Sequence, residues 1–204
     1  MISILSSIYL KVVALTSRIS VHYADQQSKS ILEEKRAAVF VYWQEHVYFL
    51  MYFLGIRRFW ILMNPRQKAD HLSQCVSLCG GRLLSSSSEA GGRHNIVVLI
   101  EQLKQGAQVA TAADGSRGPQ GQCRAGALIM AQESKTPLVP ISWSAKGAFT
   151  FRLGGNQILI PLPFNTIEVW IGSPITVLKH YRFDDLDGIK NRLTMQLNKL
   201  KQSP

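Results

Sequence analysis

Short apolar runs alternate with helically spaced segments along most of the chain. Six runs have the length of buried strands: 37–43, 59–63, 82–84, 108–113, 138–143 and 167–171. Four segments place apolar residues at helical spacing: 69–79, 95–105, 125–134 and 184–202. Strands that alternate with helices predict one α/β domain over residues 1–204, in which helices flank a largely parallel central β-sheet.

Two apolar segments nearer the N-terminus each allow two interpretations. Residues 1–25 predict either an interfacial helix on a membrane or a helix on the core, and Lys11 interrupts their apolar run. Residues 47–56 precede Arg57 and Arg58 and predict either a helix in one membrane leaflet or a buried core helix. We expect apolar N-terminal membrane-associating helices, but no signal peptide and no bilayer-spanning helix.

The composition limits the classes of molecule that the protein is expected to bind. The net charge of +10 favours nucleic acid, an anionic membrane surface or an anionic substrate. The basic residues are scattered and no nucleic-acid motif is present, so no nucleic acid is expected. Three cysteines are too few for a disulfide framework, which indicates a reducing, cytosol-facing location. His71, Cys75 and Cys79 share a helical face without a fourth ligand, so no metal is expected.

Polar loops follow three of the predicted strands, at 44–46, 85–93 and 114–124. In open α/β sheets, ligands bind beyond the carboxyl ends of the strands, so these loops predict one polar crevice. His46 supplies a candidate general base near neutral pH. Arg117 offers a planar fork for phosphate beside glycines that admit backbone N–H groups, although DGSRGP also suits an ordinary turn.

Ordered motifs add a resemblance. ADGSRGP occupies 113–119 and PLVP occupies 137–140, with Gly126 and Ala131 between them. A strand that ends at Trp43, an SSS…GG loop at 86–92, IPLPF at 160–164 and IGSPI at 171–175 complete the order. These blocks resemble the glycerolipid acyltransferases of the lysophospholipid acyltransferase superfamily, most closely the bacterial branch called domain of unknown function 374. The resemblance covers about residues 37–177.

The resemblance implies acyl transfer from a thioester to a hydroxyl of a lysophospholipid or related lipid acceptor. The acyl donor is expected to be acyl-coenzyme A or acyl-carrier protein, with no further cofactor. The expected location is the cytoplasmic face of the inner membrane, where the protein would be monotopic or peripheral on an anionic surface. The resemblance also implies acceptor binding by Asp114, Gly115, Ser116, Arg117, Gly118, Ser86 and Ser87.

The chain departs from the superfamily's catalytic His-x4-Asp pair. There the histidine directly follows the strand-ending tryptophan, whereas here Gln44 follows and His46 comes two positions later. Met51 occupies the place five residues beyond His46, where the aspartate is expected, and Ser85 replaces a usual arginine. Two interpretations remain open. Either His46 is the base and a carboxylate such as Glu45 or Asp114 is its partner, or the chain is a non-catalytic lipid-binding relative.

Overall fold

The computed structural model describes residues 2–63, 71–85, 89–115, 120–153, 156–178 and 183–202. The helices in these ranges are α1 (Ile2–Thr16), α2 (Gln26–Glu33), α3 (Val47–Gly55), α4 (His71–Leu78), α5 (Glu89–Lys104), α6 (Ala125–Ser134) and α7 (Phe183–Lys201). The strands are β1 (Arg18–Tyr23), β2 (Ala38–Tyr42), β3 (Trp60–Met63), β4 (Arg82–Ser85), β5 (Gln108–Ala112), β6 (Leu138–Ala145), β7 (Ala148–Leu153), β8 (Asn156–Pro161) and β9 (Thr166–Ile171). A 3-10 turn, Gln44–His46, joins β2 to α3.

Seven of these strands form one sheet in the order β1-β9-β6-β2-β5-β3-β4. Strand β2 lies parallel to both β5 and β6, β3 lies parallel to β4 and β5, and β1 lies parallel to β9. Strands β6 and β9 are antiparallel, and β7 and β8 form a separate antiparallel hairpin. The prediction of a largely parallel sheet flanked by helices in a single α/β domain is therefore confirmed.

Helices cover both faces of the sheet and produce two apolar layers. Side chains of β2 point alternately into each layer, Phe40 into one and Val41 into the other. Helices α1, α3 and α4 bury residues in the first layer, and α5, α6 and α7 bury theirs in the second. All five residues of β2 are buried because both of its faces are covered, which explains its continuous apolar sequence.

The N-terminal segment differs from the helix predicted over residues 1–25. Helix α1 ends at Thr16, and the next element is strand β1, whose half-buried residues pair with β9 at the sheet edge. Helix α2 follows because the Asp25 side chain accepts a hydrogen bond from the Ser28 N–H at 2.7 Å and caps the first turn. Neither β1 nor α2 was expected.

Helix α3 is a core helix, which decides between the two interpretations of its sequence. Eight of its nine residues are buried. Arg57 folds back over the Phe53 ring, 3.8 Å from its centroid, and donates a hydrogen bond to the Phe53 carbonyl. Across the ranges that the structure describes, no helix has both the length and the apolarity needed to cross a membrane.

Two further segments differ from expectation. The loop predicted over 85–93 ends earlier, because α5 already begins at Glu89. Gly91 and Gly92 lie in its first turn, where backbone N–H groups lack intrahelical partners and the low helix propensity of glycine costs little. The β7–β8 hairpin was also unexpected, and it packs beside α3 and the 3-10 turn. The turn predicted at NPRQ (64–67) lies outside the described residues.

Candidate active site

The loops that follow β2 and β5 meet at the carboxyl edge of the sheet. The Ala113 N–H donates a hydrogen bond to the Tyr42 carbonyl at 2.7 Å, which extends the ladder beyond both strands. One residue further, the Gln44 N–H donates to Oδ1 of Asp114 at 3.0 Å. Strand β3 separates β5 from β4 in the sheet, so the loop after β4 starts two strands away.

Asp114 is buried and holds the two loops together. Only 2% of its surface is exposed, and its Oδ2 accepts a hydrogen bond from the Gly121 N–H at 3.3 Å. Burial raises the pKa of Asp114, and the negative charge of Glu45 adds to the rise, against the opposing effect of the Gln44 and Gly121 N–H groups. Both carboxylate oxygens of Asp114 therefore accept hydrogen bonds from backbone N–H groups.

Gly115 follows in the left-handed region, with φ of +63°. A Cβ at this position would also lie 3.4 Å from Cδ of Arg124, so glycine suits both the turn and its neighbour. The remaining acceptor-binding candidates, Ser116, Arg117, Gly118, Ser86 and Ser87, lie outside the described residues. Their roles stay predictions.

Glu45 makes an ion pair with the C-terminal helix. Its Oε1 lies 2.6 Å from Nζ of Lys201. Burial alone would raise the pKa of Glu45, but the contacts with His46 and Lys201 outweigh it and lower the pKa to about 2. Glu45 is therefore ionised throughout the physiological range and gives this part of the site a fixed negative charge.

His46 is packed into the core beside Glu45. It is 3% exposed, and its ring lies nearly perpendicular to that of Trp143, with 5.9 Å between the two centroids. The Trp143 indole N–H donates a hydrogen bond to the His46 carbonyl at 2.8 Å. Nε2 of His46 lies 3.4 Å from Oε1 of Glu45, which is within ion-pair distance but does not make a hydrogen bond. Within the described residues, neither ring nitrogen has a hydrogen-bond partner.

A cavity of about 180 Å³ opens at this edge of the sheet. Its lining comes from the two loops, from β8 and from α7: Trp43, Glu45, Asp114, Gln120, Gly121, Gln157, Asn198 and Lys201. The Trp43 indole N–H donates to Oδ1 of Asn198 at 3.1 Å, which fixes α7 against the end of β2. Glu45 lines the cavity whereas His46 does not, so the carboxylate is the member of the pair on the cavity side.

Several cavity residues were not anticipated. Gln120 and Gly121 directly follow the DGSRGP motif, so their place in the sequence could have identified them as cavity residues. Asn198 and Lys201 belong to the polar face of an amphipathic helix and carry no local signal. Among the residues with described positions, no group of three or more His, Cys, Asp or Glu side chains could hold a metal ion.

A comparison with solved structures identifies a protein of similar architecture. No family's sequence profile matches the chain. An uncharacterised protein of Rickettsia prowazekii (strain Madrid E) is 27% identical over 205 residues, which is 99% of this chain and 90% of that protein. The crystal structure of the 1-acyl-sn-glycerophosphate (LPA) acyltransferase PlsC from Thermotoga maritima superimposes with a TM-score of 0.55 at 17% identity. That match covers 99% of this chain and 80% of the other, so the chain has a glycerolipid acyltransferase-like fold.

Proposed function

We propose that the protein is an acyltransferase that moves a fatty acyl group from a thioester to a hydroxyl of a lysophospholipid or related lipid. One observation carries the proposal: in a glycerolipid acyltransferase-like fold, a polar cavity lies where two parallel strands end, and Glu45 lines it with His46 beside it. This is the edge of an α/β sheet at which ligands bind. Acyl-coenzyme A and acyl-carrier protein are the two donor classes.

The chemistry requires one base and one polar contact for that base. The acceptor oxygen attacks the thioester carbonyl carbon, the carbon–sulfur bond breaks, and the hydroxyl proton passes first to the base and then to the leaving thiolate. We assign the base to His46 and the stabilisation of its imidazolium to Glu45. Because Glu45 lines the cavity while paired with Lys201, its side chain must move aside for Nε2 of His46 to face the acceptor.

We propose a binding site for the head group of the lipid acceptor. The residues from Asp114 to Gly118 and the serines Ser86 and Ser87 are proposed to hold its head group, with Arg117 as the cation for a phosphate. The Thermotoga protein is described as acting on 1-acyl-sn-glycerophosphate, so this lysophospholipid is the first acceptor to test. The proposed place of action is the cytoplasmic face of the inner membrane.

A second candidate function is lipid binding without catalysis. Two observations favour it: His46 is almost fully buried, and Gln44 occupies the position directly after Trp43. Glu45 cannot replace the histidine efficiently, because a carboxylate with a pKa of about 2 is a weak proton acceptor at neutral pH.

Acyl transfer by purified protein separates the two candidates. Labelled acyl-coenzyme A and acyl-carrier protein are offered with a panel of lysophospholipids and lipid A precursors to wild type, His46→Gln and Gln44→His. His94→Gln, on the exposed surface of α5, is the matched control. Wild-type transfer that falls by about 10²- to 10⁴-fold only in His46→Gln supports the displaced base. A silent wild type beside an active Gln44→His identifies a binding protein that lacks a base.

Arg117→Ala tests the acceptor site in the same assay. We expect a higher KM for phosphate-bearing acceptors with an unchanged thermal midpoint, because the guanidinium would bind the head group. Arg192→Ala, an exposed arginine of α7, is the control. A collapse of thermal stability with unchanged activity per folded molecule would instead make Arg117 structural.

A further inference from the structure

Strand β1 lies at one end of the seven-stranded sheet and pairs with β9 on a single side. The Arg18 N–H donates to the Asn165 carbonyl at 2.8 Å, and the Ala24 N–H donates to the Ile171 carbonyl at 2.9 Å. The backbone groups of a strand point alternately to its two sides, so residues 18, 20, 22 and 24 face β9. The residues whose N–H and carbonyl groups point away from β9 are the alternate ones: Ile19, Val21 and Tyr23.

The first apolar layer becomes thinner at this edge of the sheet. The same three residues of β1 pack against that layer, but they are half-buried. Their register partners on β9 are at most 1% exposed: Ile167, Val169 and Ile171. A further strand beside β1 would continue the layer and cover the half-buried side chains.

The sequence of β1 carries few of the features that keep edge strands apart. Proteins protect exposed edges with lysine, proline, bulges or very short edge strands. The six residues of β1 are RISVHY, without lysine, proline or glycine. Strand β4, at the opposite end of the sheet, has four residues and is therefore the shorter edge. Of the two edges, β1 is the one suited to the addition of a strand.

We infer that two copies of this chain pair through β1, around a two-fold axis at Val21. A two-fold axis makes the contact between two identical edge strands antiparallel. The outward backbone groups of the two copies must face each other, so residues 19, 21 and 23 pair among themselves. With the axis at Val21, residues 18–24 of one copy meet residues 24–18 of the other. Three hydrogen-bonded pairs form, and each exchanges two backbone hydrogen bonds.

The side chains suit this register. Ile19 would lie opposite the partner's Tyr23, and a β-branched residue opposite an aromatic one stabilises antiparallel strands. Ser20 would lie opposite the partner's His22, whose ring already stacks on Trp170 with 4.2 Å between the two centroids. Small and planar side chains therefore meet on one face, and apolar ones meet on the other.

The charges also favour a second copy in this register. Arg18 would lie opposite the partner's Ala24, next to the partner's Asp25, so a cation approaches an anion at both ends of the paired strands. An axis at Ser20 would satisfy the same backbone rule. It would instead place Arg18 opposite the partner's His22, without an acidic residue beside them.

The pairing would join the two sheets edge to edge and leave both cavities open. The cavity is lined by residues of the loops after β2 and β5, of β8 and of α7, and none of its residues belongs to β1. Because the two copies of β1 would be antiparallel, the carboxyl ends of β2 in the two copies would point in opposite directions. The inference therefore does not rest on the proposed acyl transfer.

Sedimentation of the full chain tests the pairing. Wild type is expected to form dimers at about 0.1 mM, and Val21→Pro should raise the dimer dissociation constant by about 30-fold. The substitution removes an N–H that points away from β9, so the β1–β9 hydrogen bonds remain. Val21→Ala is the matched control, since it keeps the N–H, and it should still dimerise. A monomeric wild type at about 0.1 mM, or a dimer that survives Val21→Pro at an unchanged thermal midpoint, would overturn the inference.

Disulfide cross-linking tests the register without a proline. Val21→Cys would bring two cysteines to about 5.5 Å between Cα atoms across the axis, a distance that a disulfide spans. Ser20→Cys would place them roughly 7–8 Å apart, which is too far. We expect a mild oxidant to link Val21→Cys into covalent dimers much faster than Ser20→Cys or wild type, which retains its three native cysteines. Linkage of Val21→Cys that is no faster than in these two controls would contradict the register.

Competition by a peptide separates this surface from any other. An excess of a synthetic peptide of residues 17–25 should dissociate the wild-type dimer, whereas the same residues in scrambled order should not. A dimer that neither peptide affects would belong to another surface and would refute the inference. Acyl transfer per chain should be equal in wild type and Val21→Pro, so the pairing and the proposed function succeed or fail separately.

Discussion

Glu45 meets two cationic or titratable neighbours at a single oxygen. Oε1 lies 2.6 Å from the Lys201 ammonium and 3.4 Å from Nε2 of His46. This arrangement stabilises the ionised carboxylate, and it differs from a catalytic dyad in which the histidine faces the substrate. In the proposed mechanism, the position of this one side chain therefore governs access of a ligand to the buried imidazole.

Replacing Glu45 should change stability in a defined pH window. The pKa of Glu45 in the folded protein, about 2, lies below its ordinary value of 4.5. Its contribution is therefore present above about pH 4.5 and is lost as pH falls toward 2. We expect Glu45→Gln to lower the free energy of unfolding at neutral pH by about 1–2 kcal/mol, a range discounted because Lys201 is half exposed. Urea unfolding between pH 2 and 7 measures it.

The control for the Glu45→Gln variant is a carboxylate in a solvent-exposed ion pair. Glu34 lies 2.7 Å from Arg36, but both side chains are more than half exposed. Glu34→Gln should change the free energy of unfolding by less than about 1 kcal/mol. Parallel pH profiles of the two variants would show that the Glu45 contacts do not persist in solution.

Asp114→Asn should weaken the junction between the two loops. An amide has one oxygen, so either the Gln44 N–H or the Gly121 N–H loses its acceptor in a buried place. We expect a loss of about 1–3 kcal/mol in the free energy of unfolding, measured by urea denaturation. Asp187→Asn, which alters an exposed carboxylate paired with Lys190, should stay within about 0.5 kcal/mol. Equal losses would remove the argument for Asp114 as a junction.

The sequence predicts the cavity residues that come from the loops after the strands, but it does not predict those that come from the C-terminal helix. Glu45 and Asp114 were candidates because each lies in a loop that follows a predicted strand, and parallel strands end at one edge of a sheet. Asn198 and Lys201 come from a helix about 150 residues away in the chain, and exposed polar residues at helical spacing look the same whether or not they border a cavity. The burial of His46 depends on Trp143 and could not be inferred locally.

At the scale of elements, the last residue of α3 is a glycine that packs against Cys79, the residue directly after α4. A Cβ at Gly55 would lie 3.0 Å from Cβ of Cys79 and 3.2 Å from its carbonyl oxygen. Gly55→Ala should therefore cost about 1–2 kcal/mol, because the backbone of the neighbouring element must move. Thermal unfolding measures this loss.

Replacing Gly188 with alanine should stabilise the protein, in contrast to the same change at Gly55. It lies inside α7, and a Cβ there would meet no atom within 4 Å. Gly188→Ala should raise the free energy of unfolding by about 0.5–1 kcal/mol, since alanine loses less backbone freedom on folding. Destabilisation by both substitutions would mean that helix packing does not explain the Gly55 result.

The strands with the clearest sequence signal are those buried on both faces. Strands β2 and β5 are buried along almost their whole length, whereas β9 alternates buried with half-buried residues. Strand β1 and the β7–β8 hairpin were missed because they are partly exposed and their patterns mix polar with aromatic residues. Helix α2 has few apolar residues, and its cap at Asp25 was the available signal.

At the scale of the whole molecule, the end of α7 completes the cavity. A chain truncated after Leu197 keeps Leu193 and Leu197 in the core but loses Asn198 and Lys201. We expect it to fold with a thermal midpoint about 3–8 °C lower and with red-shifted emission from the hydrated Trp43 indole. Calorimetry and fluorescence check both. An unshifted emission would show that α7 does not shield Trp43, and absence of a cooperative transition would show that the last turn is required for folding.

The parallel pairing of β1 with β9 has a consequence for synthesis. Tyr23 aligns with Ile171, so the strand that secures α1 to the sheet leaves the ribosome about 150 residues after it. At a synthesis rate of about 5–20 residues per second, α1 and β1 are made roughly 7–30 seconds before β9. During that interval β1 has no partner strand, although α3 and α4, against which α1 packs, have already been made. A nascent chain thus carries an unpaired β1 before its sheet edge exists.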